Sequence, residues 1–73
     1  MAVATVYWMG EPPPRCEICN RPITDEFVNG ATLQGPWEIM CVRCHGRHGR
    51  GFGARRGQRY VAQADGRWWK AEG

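Results

Sequence analysis

Two short motifs hold the residues best suited to chemistry: Cys16-Glu17-Ile18-Cys19 and Cys41-Val42-Arg43-Cys44. Two residues between paired thiols let a tight turn aim both sulfurs at one ion. The 21 residues between the pairs come close to the spacing of four-cysteine zinc sites. Four thiolates close a tetrahedral shell and leave no position for water or substrate. The spacing therefore predicts one structural Zn2+ on Cys16, Cys19, Cys41 and Cys44. Rival readings explain less. Cys41-Val42-Arg43-Cys44-His45 fits the C-x-x-C-H haem pattern, but that uses one cysteine pair, and all three methionines lie upstream of Cys41. A thioredoxin-like redox motif needs a strand-helix unit that these glycines and prolines forbid. A nuclease centre of the HNH kind needs a second cluster. His45 and His48 are the only histidines, and Asp25 and Asp65 are remote in sequence. With no open ligand position and no acid/base pair, the expectation is a protein that is not an enzyme. His45 is expected to pack beside the centre or support it from outside, and His48 to be solvated.

The second candidate group is cationic. Residues 43–59 carry Arg43, Arg47, Arg50, Arg55, Arg56 and Arg59 with no acid, a local charge of +6. The remainder holds four cations against seven acids, so a total of +3 hides a polarised chain. Arginine favours bidentate contacts to phosphate or carboxylate. The interspersed glycines would let backbone approach a partner closely, and Phe52 would stack on a base. Arg43 would also help to neutralise the sulfur centre. No recognition helix and no Gly-Lys-Ser/Thr phosphate loop is visible, so nucleic-acid binding would be weakly selective and strongly salt-dependent. The alternative target is an acidic protein surface, met through Trp68 or Trp69 and the same arginines.

These groups need elements to position them. A chain of 73 residues allows one domain with a marginal core, which calls for a metal, disulfides or a partner. No apolar run reaches membrane length, so no transmembrane helix is expected. The N-terminus lacks a basic, long-apolar export signal, which points to a reducing cytoplasm and away from disulfides. Ten glycines, five prolines and a single leucine argue against a helical bundle. Ala2–Trp8 alternates as one strand within an N-terminal segment 1–10, and Pro12-Pro13-Pro14 makes 11–15 a stiff spacer. Residues 16–73 form the zinc module. Within it, Asn29-Gly30 between strand formers signals a tight hairpin turn. Residues 43–59 hold at most two helical turns and then a basic Gly/Arg loop. A C-terminal hairpin spans 59–70, with Asp65-Gly66 as a two-residue turn placing Ala62 opposite Trp69 and Gln63 opposite Trp68. One of those tryptophans faces the core and its neighbour faces away. Exposed tryptophans also open the chain to oligomerisation.

The expected fold is a small zinc-stabilised β-rich or α+β domain, zinc-ribbon or treble-clef-like, with the C-terminal β-hairpin. A treble clef would place Cys41 and Cys44 at a helix start, and a ribbon on a second knuckle. From Cys16 onward the chain resembles short zinc-binding proteins encoded by phages and prophages. The residues that carry the likeness are Phe27-Val28-Asn29-Gly30, Thr32, Gly35-Pro36-Trp37, Met40-Cys41, Cys44-His45, Gly51-Phe52-Gly53, Gly57-Gln58-Arg59-Tyr60 and Gly66-Arg67-Trp68. The resemblance implies an accessory protein of the bacterial cytoplasm during infection or lysogeny. It leaves the N-terminal strand and the prolines without a role.

Overall fold

A computed structural model describes residues 5–73. Its centre is β1 (Glu26–Ala31), flanked by β2 (Trp37–Met40) on one side and β3 (Gly57–Ala62) on the other, with β4 (Trp68–Glu72) outermost. All three pairings are antiparallel. Between β2 and β3 runs α1 (Val42–His48). Of the expected N-terminal strand, residues 2–4 lie outside the described residues. Tyr7 bridges Trp69, and Trp8 donates its N–H to the Trp68 carbonyl, so the segment continues the sheet past β4.

Alternation gives the sheet two unlike faces. Phe27 and Tyr60, opposite each other across β1 and β3, stack at 5.3 Å. Trp8 meets both edge-on at 5.1 and 5.2 Å, and Trp68 meets Phe27 at 5.3 Å. Such aromatic pairs add about 0.5–1.5 kcal/mol each beyond area burial. On the other face, Val28 pairs with Met40, and Met40 packs with Cys16 and Cys44.

Both hairpins differ from expectation. Asn29-Gly30 lies within β1, paired to Ile39 and Glu38 on one side and to Gln58 and Gly57 on the other. The glycine is there because β3 crosses close: a methyl group at Gly30 would lie 2.8 Å from the Arg56 carbonyl and 3.0 Å from Gly57 Cα. The chain reverses instead at Thr32–Pro36. Thr32 donates its hydroxyl to the Pro36 carbonyl at 2.8 Å, and Gly35 takes a φ of +115°. At the C-terminal hairpin, Ala62 faces Trp68 and Val61 faces Trp69, one residue off the expected register. The loop has three residues, closed by the Gln63 N–H on the Arg67 carbonyl, with Gly66 left-handed at φ +89°. A type I turn followed by a left-handed glycine is the usual three-residue solution. Alternation of the two tryptophans holds all the same: Trp68 joins the aromatic layer and Trp69 stays exposed.

Residues 43–59 are not one loop. They comprise most of α1, an irregular segment 49–56, and the start of β3. No helix among the described residues is long and apolar enough to cross a membrane.

Candidate metal centre

The first cysteine pair sits in a knuckle closed by the Cys16 N–H on the Arg21 carbonyl and the Asn20 N–H on the Cys16 carbonyl, both at 2.9 Å. Asn20 completes the turn at φ +64°, the one left-handed non-glycine among the described residues, a conformation asparagine tolerates well. Ile18 points its N–H at Cys16 Sγ, 3.4 Å away. Glu17 pins the knuckle to the hairpin twice. Its N–H donates to the Ile39 carbonyl at 2.8 Å, and its carboxylate accepts the Ile39 N–H at 2.6 Å. The same pair of bonds caps the outer edge of β2.

The second pair opens α1. Cys41 is the N-cap, extended at φ −69° and ψ 160°, and its sulfur accepts the Cys44 N–H at 3.4 Å. A sulfur thus takes the part usually played by a serine or aspartate oxygen. Arg47 lies in the last turn, where a cation complements the helix dipole. Cys41 and Cys44 therefore occupy a helix start and not a second knuckle.

The four sulfurs all lie within 4.8 Å of one another, with Cys19 and Cys41 Sγ 3.8 Å apart. Metal–sulfur bonds of about 2.3 Å in a regular tetrahedron put sulfurs about 3.8 Å apart. All four cysteines are free, with Cys16 and Cys44 buried and Cys19 exposed. Four cysteines are thus positioned to hold one metal ion. Their ionisation is unequal. Burial pushes the Cys44 thiol up to about 12, and its hydrogen bonds with Cys41, Cys19 and Cys16 and the charge of Cys16 push the same way. At Cys16 burial also opposes ionisation, but backbone hydrogen bonds at Cys19, Cys41 and Ile18 outweigh it and hold the thiol down to about 6. The first thiolate forms easily and the last one is resisted, as expected for crowded like charges. With a divalent cation among them, all four can be thiolates.

His45 is buried and packs outward from the centre. Its Nε2 lies 2.9 Å from the Gly51 carbonyl, and its ring lies 4.6 Å from that of Phe52. A carbonyl only accepts, so Nε2 carries the proton. Two glycines make room for this ring. A methyl group at Gly49 would collide with His45 Cδ2, and one at Gly57 would lie 2.9 Å from the Gly51 carbonyl that accepts from this ring and 3.3 Å from Nε2. The glycines at 49 and 57 thus serve an internal close approach, where the sequence suggested approach to a partner.

The structure divides the cationic candidates. Arg59 bridges Glu26 and Glu72 at 2.9 and 2.8 Å, and Arg50 donates to the Thr32 carbonyl at 3.1 Å. Both hold the fold together. Phe52 lies against His45 and Trp68 against Phe27, so neither ring stands free. Arg43, Arg47, Arg55 and Arg56 are exposed, and none of the ion pairs among the described residues involves them. Arg43 and Arg47 line an open cleft with His48 and with Arg21, a residue outside the basic run. Sequence reasoning missed Arg21 because 22 positions separate it from Arg43. Only the convergence of the two cysteine pairs could have signalled it. Comparison of the chain with protein-family models, with curated proteins and with solved structures gives no match.

Proposed function

We propose that this chain is a non-enzymatic, zinc-held module that binds nucleic acid through exposed arginines, with low sequence selectivity. The scaffold is treble-clef-like: a knuckle, a β-hairpin, and a helix that starts on the second cysteine pair. Zinc on Cys16, Cys19, Cys41 and Cys44 would be structural, tying the knuckle to the helix and offsetting thiolate charge. One observation carries the binding reading: Arg43, Arg47, Arg55 and Arg56 are exposed and have no carboxylate partner among the described residues. Unpaired guanidinium groups that cluster in the chain suit phosphate oxygens. The resemblance to phage and prophage proteins supports an accessory role in a bacterial cytoplasm.

Native mass spectrometry tests the metal, with one zinc per chain expected. Strong chelator should collapse NMR amide dispersion, first in the knuckle and α1, since zinc binding in small finger peptides is worth about 10–16 kcal/mol. A metal-free chain with an unchanged spectrum refutes the scaffold. Fluorescence anisotropy with short DNA and RNA at two salt concentrations tests the ligand. Four phosphates neutralised give a slope of log K against log salt near about −3.6 on duplex. Affinity indifferent to salt refutes it.

A second reading, modulation of a host protein, has its own support: Trp69 is 40% exposed and Trp37 46%. Exposed tryptophans are favoured anchors at interfaces. A host protein retained from lysate after nuclease treatment supports that reading over the first.

A further inference from the structure

The cleft beside the sulfur centre combines features that the basic run alone does not explain. It has a volume of about 250 Å³ and is walled by Arg21 from the knuckle and by Arg43, Arg47 and His48 from α1. Ile18, Cys19 and Cys44 also line it, and no acidic residue does. Arg43 and Arg47 are four apart on a helix of only seven residues. Like charges at that spacing repel, so an anion held between them is favoured. None of the ion pairs among the described residues supplies one. The sulfur centre answers only part of the demand. Four thiolates around a divalent ion carry −2 against the +3 of three guanidinium groups, which leaves one positive charge.

We propose that Arg21, Arg43 and Arg47, with His48 at the rim, form a cleft that binds one phosphodiester group of a nucleic-acid backbone. The proposal rests on the nucleic-acid reading above and gives it a place. One phosphodiester brings the local charge to zero. Guanidinium groups from two separate segments can grip its two free oxygens from opposite sides, a geometry that a single basic loop lacks. Because the walls belong to the knuckle and to α1, the grip exists only while the cysteine pairs are held together. Contacts are to backbone phosphate, so selectivity among bases stays low.

The test compares the zinc-loaded chain with Arg21→Gln, with Arg43→Gln/Arg47→Gln, and with Arg67→Gln, whose guanidinium pairs with Asp65 at the far hairpin. Amide dispersion and zinc content establish that each variant is folded. Anisotropy with a short duplex is then measured across salt concentrations. Arg21→Gln should weaken binding roughly five- to tenfold and the double variant more, and because the cleft holds one phosphate neither should reduce the salt slope by more than about one. Arg67→Gln should match the parent chain. If the parent binds but the cleft variants bind as Arg67→Gln does, the cleft is overturned while the nucleic-acid reading stands. If the parent binds no oligonucleotide, that reading fails. The cleft is then judged on the unmodified chain by 15N-edited NMR of arginine Nε groups titrated with inorganic phosphate. Shifts confined to Arg21, Arg43 and Arg47 uphold an anion site there, and uniform or absent shifts overturn it. Displacement of the oligonucleotide by an acidic peptide more readily than by phosphate, at equal ionic strength, assigns the cleft to a protein and overturns the proposal.

Discussion

Gly49→Ala tests whether the glycines after α1 exist for His45. The residue has φ −87° and ψ 175°, a backbone conformation alanine adopts freely, so no conformational penalty confuses the result. What alanine meets is the imidazole, its methyl group colliding with Cδ2, together with the His45 carbonyl at 2.7 Å. Moving the ring away would break the bond from Nε2 to the Gly51 carbonyl and disturb the contact with Phe52. Overpacking of this kind costs about 1–3 kcal/mol. In a domain of this size each kcal/mol moves Tm by about 4–8 °C, so a fall on the order of 10 °C is expected. Thermal unfolding should be followed at fixed, saturating zinc, because ligand concentration itself moves Tm.

The decisive comparison is a double-mutant cycle with His45→Ala. That change alone leaves the Gly51 carbonyl without its donor and opens a cavity, a loss of about 2–4 kcal/mol. Adding Gly49→Ala in that background should cost at least about 1 kcal/mol less than in the parent, because the ring is gone. Rescue is incomplete, since the His45 carbonyl remains near the new methyl group. A coupling below about 0.5 kcal/mol would refute the idea that Gly49 is small for the sake of the imidazole.

Three further outcomes are expected. Zinc affinity should fall at least tenfold per pH unit from pH 8 to 6, because the Cys44 thiol, raised to about 12, must lose its proton to bind. The fall should steepen below about 6, where Cys16 is protonated as well, and competition with a chromophoric chelator measures both slopes; a flat profile contradicts them. Trp8→Ala should destabilise the zinc-loaded chain by about 2 kcal/mol through loss of its contacts with Phe27 and Tyr60, read from urea midpoints; an unchanged midpoint would mean that residues 5–8 merely decorate the sheet. Arg59→Met should cost at most about 1 kcal/mol, since both of its carboxylate partners are substantially exposed, and should leave oligonucleotide affinity unchanged; a binding defect would return Arg59 to the interface.

The sulfur centre was legible because two C-x-x-C pairs constrain geometry over a few residues, and Cys16, Cys19, Cys41 and Cys44 do converge. The turn positions were less so. Asn29-Gly30 and Asp65-Gly66 carry the same local signal, yet only the second lies in a turn, and there one residue longer than expected. What decides between them is not local. Gly30 is a glycine because the backbone at the start of its neighbour β3, some 27 positions away, comes too close for a side chain. Likewise the arginines of 43–59 look equivalent in the sequence. Tertiary partners remove Arg50 and Arg59 from the free set, and the knuckle contributes Arg21 to the cleft.

These observations join at the helix. A helix of seven residues is far below the 12–15 at which isolated helices become even marginal in water, and Gly46 weakens it further. Something outside it must hold α1 in place. On its face of the sheet the fully buried side chains are Val28, Met40 and Cys16, so little apolar area is available beyond the sulfur ligands themselves. The aromatic layer of Phe27, Tyr60, Trp8 and Trp68 lies on the opposite face and cannot replace them. A metal held by Cys41 and Cys44 would then restrain the start of α1, and with it Arg43 and Arg47, while buried His45 and the His48 carbonyl, which accepts the Leu33 N–H at 2.7 Å, tie down its end. Loss of the metal should accordingly disperse the cationic cleft before it disturbs the aromatic side of the sheet.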